Sequence, residues 1–268
     1  FLRFQPLNMT DNNSSRRLSA AYGWHWLREA SRAFSLKPIQ LLGVTLFYLI
    51  VMGFLSAFPY GGMVFAALFM PFGTAFIGRS THEVLKGGTP LWSDLKQLFG
   101  KTAWRRSLSG IGIIYGFILV TINALYGYLA ADSIALWKIT ADNRLDWASV
   151  QANIPWGAIV AGLIIYIPGL MAVWFAPLLA TEKNMGPGKA VFYSFFGCLR
   201  NILPVLVLIV LVAVMIIAFG LVASLLFEAL GSVDAVVSFI LMPLSFLLLT
   251  FIYSAYWPMY ASLFEDVE

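Results

Sequence analysis

Long stretches without a single charge divide this chain, and the charges that remain are bunched between them. No charged residue falls between Lys37 and Arg79, Arg106 and Asp132, Asp146 and Glu182, Arg200 and Glu228, or Asp234 and Glu265. A bilayer core is about 30 Å thick, so a spanning helix needs roughly 20 apolar residues. The first stretch holds two such helices and each of the others holds one. The chain therefore reads as an all-α polytopic membrane protein with six transmembrane helices. The spans fall at about 38–58, 61–78, 107–131, 155–180, 202–227 and 236–264, after a tail and interfacial helix over 1–37.

Composition agrees. Charged residues are 11% and hydrophobic residues 60% of the chain, against about 25% charged for soluble domains. The net charge of +4 in so apolar a chain points to inner loops and anionic headgroups, with no nucleic-acid partner expected. The single cysteine, Cys198, excludes an internal disulfide and a cysteine-based metal cluster. The first apolar run follows a basic helix without a small-residue cleavage site, so no cleavable signal peptide is expected, and Met9 offers a start site after Phe1 to Asn8.

The basic residues set the expected orientation. The N-terminal segment carries Arg3, Arg16, Arg17, Arg28, Arg32 and Lys37. The second-to-third connection carries Arg79, Lys86, Lys96, Lys101, Arg105 and Arg106, and the fourth-to-fifth carries Lys183, Lys189 and Arg200. Across the membrane only Lys138 and Arg144 remain, beside Asp132, Asp142 and Asp146. By the positive-inside rule both termini are cytoplasmic. Tight turns at Pro59–Gly62 and Gly231–Asp234 would make hairpins of the first two and last two spans. The loop from Asp132 to Ile154, with Trp137, Trp147 and Trp156 in or beside it, is expected as short helices lying on the membrane, with a ligand lid as the alternative.

Three units share one plan. Each outward-going span follows an amphipathic cytoplasmic segment. In the first, Trp26, Ala30 and Phe34 form an apolar stripe and Arg28 and Arg32 lie off it, the pattern of a helix in the headgroup plane. The second places Leu91, Trp92, Leu95, Leu98 and Phe99 on one face. The third sets Val191, Phe192, Phe195, Phe196 and Leu199 opposite the small residues Ala190, Ser194, Gly197, Cys198 and Asn201, which permit close helix approach. Each inward-going span contains proline, at Pro71, at Pro168 and Pro177, and at Pro243 and Pro258. The stretches Pro177–Thr181 and Pro258–Ser262 correspond, a weak repeat about an axis along the membrane normal.

Ionisable groups at mid-membrane are the usual pointer to transport or catalysis, and no span places one there. Arg79 and Glu228 sit at span ends, where long side chains reach headgroups. His82-Glu83 lacks the second histidine of a zinc-protease helix, so no metal or other cofactor is expected. Gly112 and Gly116 form a GxxxG pattern that reads as helix packing. Tyr253, Tyr256, Trp257 and Tyr260 cluster near the inner interface, as an aromatic belt or as a groove for a lipid headgroup.

Several stretches carry a resemblance: Gly23-Trp24-His25-Trp26-Leu27, Leu68-Phe69-Met70-Pro71-Phe72, Trp174–Ala180 with Ala190–Asn201, and Tyr260–Phe264. With these the chain resembles an uncharacterised family of polytopic inner-membrane proteins of beta-proteobacteria from about Ala21 onward. The turn Thr181–Lys189 departs from the family, which more often has an acidic residue and paired prolines there. The layout is also distantly similar to the membrane domain of some glycerophosphodiester phosphodiesterases, from which no catalytic residue carries over.

The expectation is a non-enzymatic, multi-pass protein of the bacterial inner membrane, in an accessory, lipid-contacting or envelope-organising role. Its expected partners are membrane lipids and a membrane protein or second copy. The candidate lipid or interface residues are Trp26, Arg28, Arg32, Phe34, Tyr253, Tyr256, Trp257 and Tyr260. The alternative is a transporter or channel for a neutral or lipidic solute.

Overall fold

The computed structural model describes residues 17–90, 92–230 and 237–265. The expected turn at 231–234, the cations Arg3 and Arg16, and Leu91 lie outside the described residues. In chain order the helices are α1 (Tyr22–Leu36), α2 (Pro38–Ser56), α3 (Gly62–Leu85), α4 (Trp92–Gly100), α5 (Thr102–Ala135), α6 (Trp147–Ala152) and α7 (Trp156–Trp174). They continue with α8 (Ala176–Glu182), α9 (Pro187–Arg200), α10 (Ile202–Leu230), a π-helical turn α11 (Val237–Leu241), α12 (Met242–Tyr253) and α13 (Tyr256–Phe264). Among the described residues six helical stretches are long and apolar enough to cross a membrane: α2, α3, α5, α7 with α8, α10, and α11 through α13. The chain is an all-α membrane protein.

Local chemistry explains the boundaries. Lys37 leaves helical geometry, and Pro38 then opens α2, where its missing N–H costs nothing. The turn after α2 brings the Gly62 N–H back to the Phe58 carbonyl. A Cβ on Gly62 would lie 2.2 Å from the Ser56 oxygen, so only glycine fits this corner. The 34 residues of α5 reach about 51 Å, well past the bilayer core, and α3 likewise continues beyond the expected Gly78 to Leu85.

The fourth span is interrupted at Phe175, between α7 and α8. The Ser194 hydroxyl on α9 accepts from the Phe175 N–H at 2.9 Å and donates to the Met171 carbonyl at 2.8 Å. It thus stands between two groups that would bond each other in an unbroken helix, a recognised cause of bending. The small face of α9 makes this possible: Ala190, Ser194, Gly197 and Cys198 are buried, while Phe192 and Phe196 face outward.

α2 packs on α3, α3 on α5, α5 on α7, and α7 on α9. The short amphipathic helices run round one end of this row, called here the basic end. α4 lies on α3, α9 lies on α7 and α8, and α1 lies on α12 and α13 as well as α10. Each therefore rests on the second spanning helix of the preceding unit, and α1 closes the ring. The hydrophobic core gathers at this end, around Trp26, Phe76, Phe175, Leu178, Tyr260 and Leu263. Between spans in lipid no water is excluded by packing, so long apolar faces remain exposed, above all on α10.

The loop beyond α5 differs in part from the expected short surface helices. It forms one short helix, α6, and a turn closed by an antiparallel bridge between Ile139 and Leu145. Asp146 caps α6 by accepting from the Ala148 N–H, and Trp147 and Trp156 are exposed as interface residues would be.

Candidate functional site: an aromatic and ionic junction with a groove beside it

The junction is built where α3, α8 and α13 converge at the basic end. Arg79, two turns before the end of α3, pairs through Nη1 with the Glu182 carboxylate at the end of α8. Its guanidinium also lies 5.0 Å from the ring centroid of Trp104, on α5. Lys101 places its ammonium 3.8 Å from the same ring, and the Trp104 indole N–H donates to Asn184 Oδ1 at 2.8 Å. Asn184 takes left-handed backbone geometry, which asparagine tolerates, and so turns the chain from α8 toward α9. Thr181 supplies a further donor to Glu182 at 3.3 Å. Arg79 thus ties three spans together from one side chain. The headgroup-reaching role expected from its place at a span end is not what the structure shows. Its side chain is only 19% exposed, because the Glu182 carboxylate and the Trp104 indole lie against it.

Next to the ion pair, His82 lies face to face with Trp257, and Trp257 in turn leans on Tyr260. Tyr256 stacks on Phe175, and its hydroxyl donates to the Trp174 carbonyl at the break in the fourth span. Just past the end of α13, burial and the neighbouring Glu182 hold the Glu265 carboxyl above the usual carboxylate range, while Lys86 and Lys183 oppose this. Burial pushes the Cys198 thiol up to about 12, so it packs as a neutral group.

These contacts relocate most of the expected lipid-facing residues. Trp26 is fully buried, and its indole N–H donates to the Ser262 hydroxyl at 2.7 Å. Ala30 is also fully buried, and Phe34 sits edge-on to Phe251. A Cβ on Gly23 would strike the Pro204 oxygen at 2.6 Å, so α10 presses directly on α1. The stripe of α1 is covered by protein where lipid was expected, while Arg28 and Arg32 are exposed. Tyr256, Trp257 and Tyr260 are likewise interior, and Tyr253 is half-buried against Tyr48. Periodicity reveals an apolar face but not what covers it. Phe175 and Tyr256, each two residues before the corresponding stretches Pro177–Thr181 and Pro258–Ser262, meet inside the bundle.

Gly112 approaches the α3 backbone closely: a Cβ there would lie 2.8 Å from Leu68 Cα and 2.9 Å from its oxygen. Gly116 is looser, with 3.6 Å to the Ala67 Cβ. The missed residues, Trp104 and Glu182, had one signal available. Arg79 and Glu182 are each the first charge after the apolar run of an even-numbered span, and they are opposite in sign.

Beside the junction, α2, α3, α4 and α5 enclose an open apolar groove of about 460 Å³. Leu68, Phe69, Phe72 and Phe99 form much of its wall, and Arg105 and Ser109 lie at its α5 side. Phe99 stacks flat on Phe72 with ring centroids 4.6 Å apart.

The chain is 26% identical over 261 residues to a probable inner membrane protein of Burkholderia thailandensis, an alignment that covers 94% of each chain. No family model matches the chain, and no solved structure matches it.

Proposed function

We propose that this chain is a non-enzymatic, multi-pass protein of the bacterial inner membrane, with both termini cytoplasmic, that contacts lipid or a neighbouring membrane protein in an accessory role. The observation that carries this reading is where the membrane-spanning hydroxyls are spent. Thr74 donates to the Met70 carbonyl, Thr121 to Phe117, Ser224 to Gly220, Ser245 to Met242 and Thr250 to Phe246. Each bonds the backbone of its own helix, an arrangement that suits packing in lipid more than lining a polar path. The Burkholderia relative, a probable inner membrane protein, agrees with the location. The gathering of α1, α4 and α9, with their cations, at one end agrees with the orientation.

Purification into native nanodiscs, followed by mass spectrometry, tests the role: a defined lipid or protein should co-purify. Gradient-driven uptake into liposomes that one span substitution abolishes would refute it. Reporter fusions test the orientation, expected inside at Lys96 and Glu268 and outside just after Asp146. The groove is the observation that favours the second reading, a carrier of a lipidic solute, which lipid exchange between labelled vesicles would reveal.

A further inference from the structure

We propose that the groove between α2, α3 and α5 holds one acyl chain of an anionic phospholipid whose phosphate sits on Arg105, an inference that rests on the lipid-contacting reading above. Its shape follows from two contacts. Gly112 pins α5 to the α3 backbone at Leu68, and toward the basic end Phe99 of α4 is laid on Phe72. Between the contact at Gly112 and Arg105 lie two turns of α5, about 10 Å. The space left open is apolar along its length, and its volume of about 460 Å³ falls within the range of small-ligand sites.

Arg105 is the one charged residue among those lining the groove. Its Nη1 donates to the Phe99 carbonyl at 3.2 Å, which holds the guanidinium at the rim. That bond uses one of five N–H donors, and a guanidinium fork matches two phosphate oxygens. Lys101, just before α5, and Arg106 are both exposed and lie within four residues of Arg105, so positive charge is concentrated at this end of α5. A lone acyl chain would satisfy the wall but not the rim, and a soluble anion would satisfy the rim but not the wall. A phosphodiester lipid satisfies both. The neighbouring cations favour a headgroup without its own ammonium.

The test uses the full-length protein in mild detergent, titrated with dioleoyl phosphatidylglycerol or dioleoyl phosphatidylcholine and read by native mass spectrometry. The parent should retain phosphatidylglycerol about tenfold more tightly, the strength of a charge-assisted contact. Arg105→Gln should bring the two lipids close to parity, and Arg105→Lys should keep part of the preference. Ser109→Phe, which fills the groove from its α5 side, should lower retention of both, as should Leu55→Trp at another point of the wall. Thermal unfolding identifies any variant that fails to fold, and the remaining variants then decide. Unchanged preference in folded Arg105→Gln, or unchanged retention in the groove-filling variants, overturns the proposal while lipid contact elsewhere survives. A dimer through this face, with lipid counts indifferent to the groove, overturns it in favour of a second copy. A parent that retains no lipid at all defeats the wider reading as well.

Discussion

His82 and Trp257 lie face to face, with ring centroids 3.7 Å apart and planes 10° from parallel, and so join the end of α3 to the start of α13. The pair sits where the sixth span resumes after its interruption at Ser254 and Ala255. Trp257 is 4% exposed, so its truncation removes a large buried ring. Trp257→Ala should cost about 3–5 kcal/mol, and Trp257→Phe should cost clearly less. Thermal unfolding in detergent measures both.

Removing one partner of the Arg79–Glu182 pair leaves the other charge largely out of water. Arg79→Met should therefore destabilise by about 2 kcal/mol, within the range for hydrogen bonds to charged groups. The double substitution Arg79→Met with Glu182→Met should recover much of that loss, since replacing both charges with apolar groups is often tolerated. A double-mutant cycle gives the coupling. Equal and additive losses would show that the two residues act separately.

The two glycines of α5 should respond differently. Alanine at Gly112 meets the Leu68 backbone, which cannot move aside as a flexible side chain can. Gly112→Ala should lose about 1–3 kcal/mol by overpacking. Gly116→Ala meets only ordinary contact and should be neutral, or gain up to about 1 kcal/mol from helix propensity. Paired melting curves decide, and a reversed order would place the close approach elsewhere.

Glu265 makes a pH-dependent prediction. Its folded-state pKa is raised by burial and by Glu182, so the fold holds that proton more tightly than the unfolded chain does. The stabilisation from protonation is fully present below the ordinary carboxylate range and is lost as pH rises through the raised value. Glu265→Gln should thus melt at higher temperature than the parent at about pH 7.5 and alongside it at about pH 4. Melting across that interval measures the difference.

The six spans were legible because charge is excluded from lipid, and that exclusion prints itself on the sequence. The observed helices start close to the expected ones, with α3 and α5 running further because charged residues at their basic ends find protein partners. The close approach at Gly112 was legible for the same local reason, a missing side chain. The junction was not. Trp26, Tyr256, Trp257 and Tyr260 are apolar enough for lipid or protein, and only the arrangement of spans decides between them. Arg79 shows the limit most clearly, since its partners lie on separate spans distant in sequence.

The bend in the fourth span is completed from outside that span. The Ser194 hydroxyl that separates Phe175 from Met171 belongs to α9, which is made only after α7 and α8 have been translated. Pro177, two residues past Phe175, already denies the Val173 carbonyl its partner, and Ser194 then takes the Phe175 N–H and the Met171 carbonyl that could still have bonded each other. A break begun by the span's own proline is thus finished by a residue that follows it in the chain, so the shape of the fourth span depends on a helix outside it.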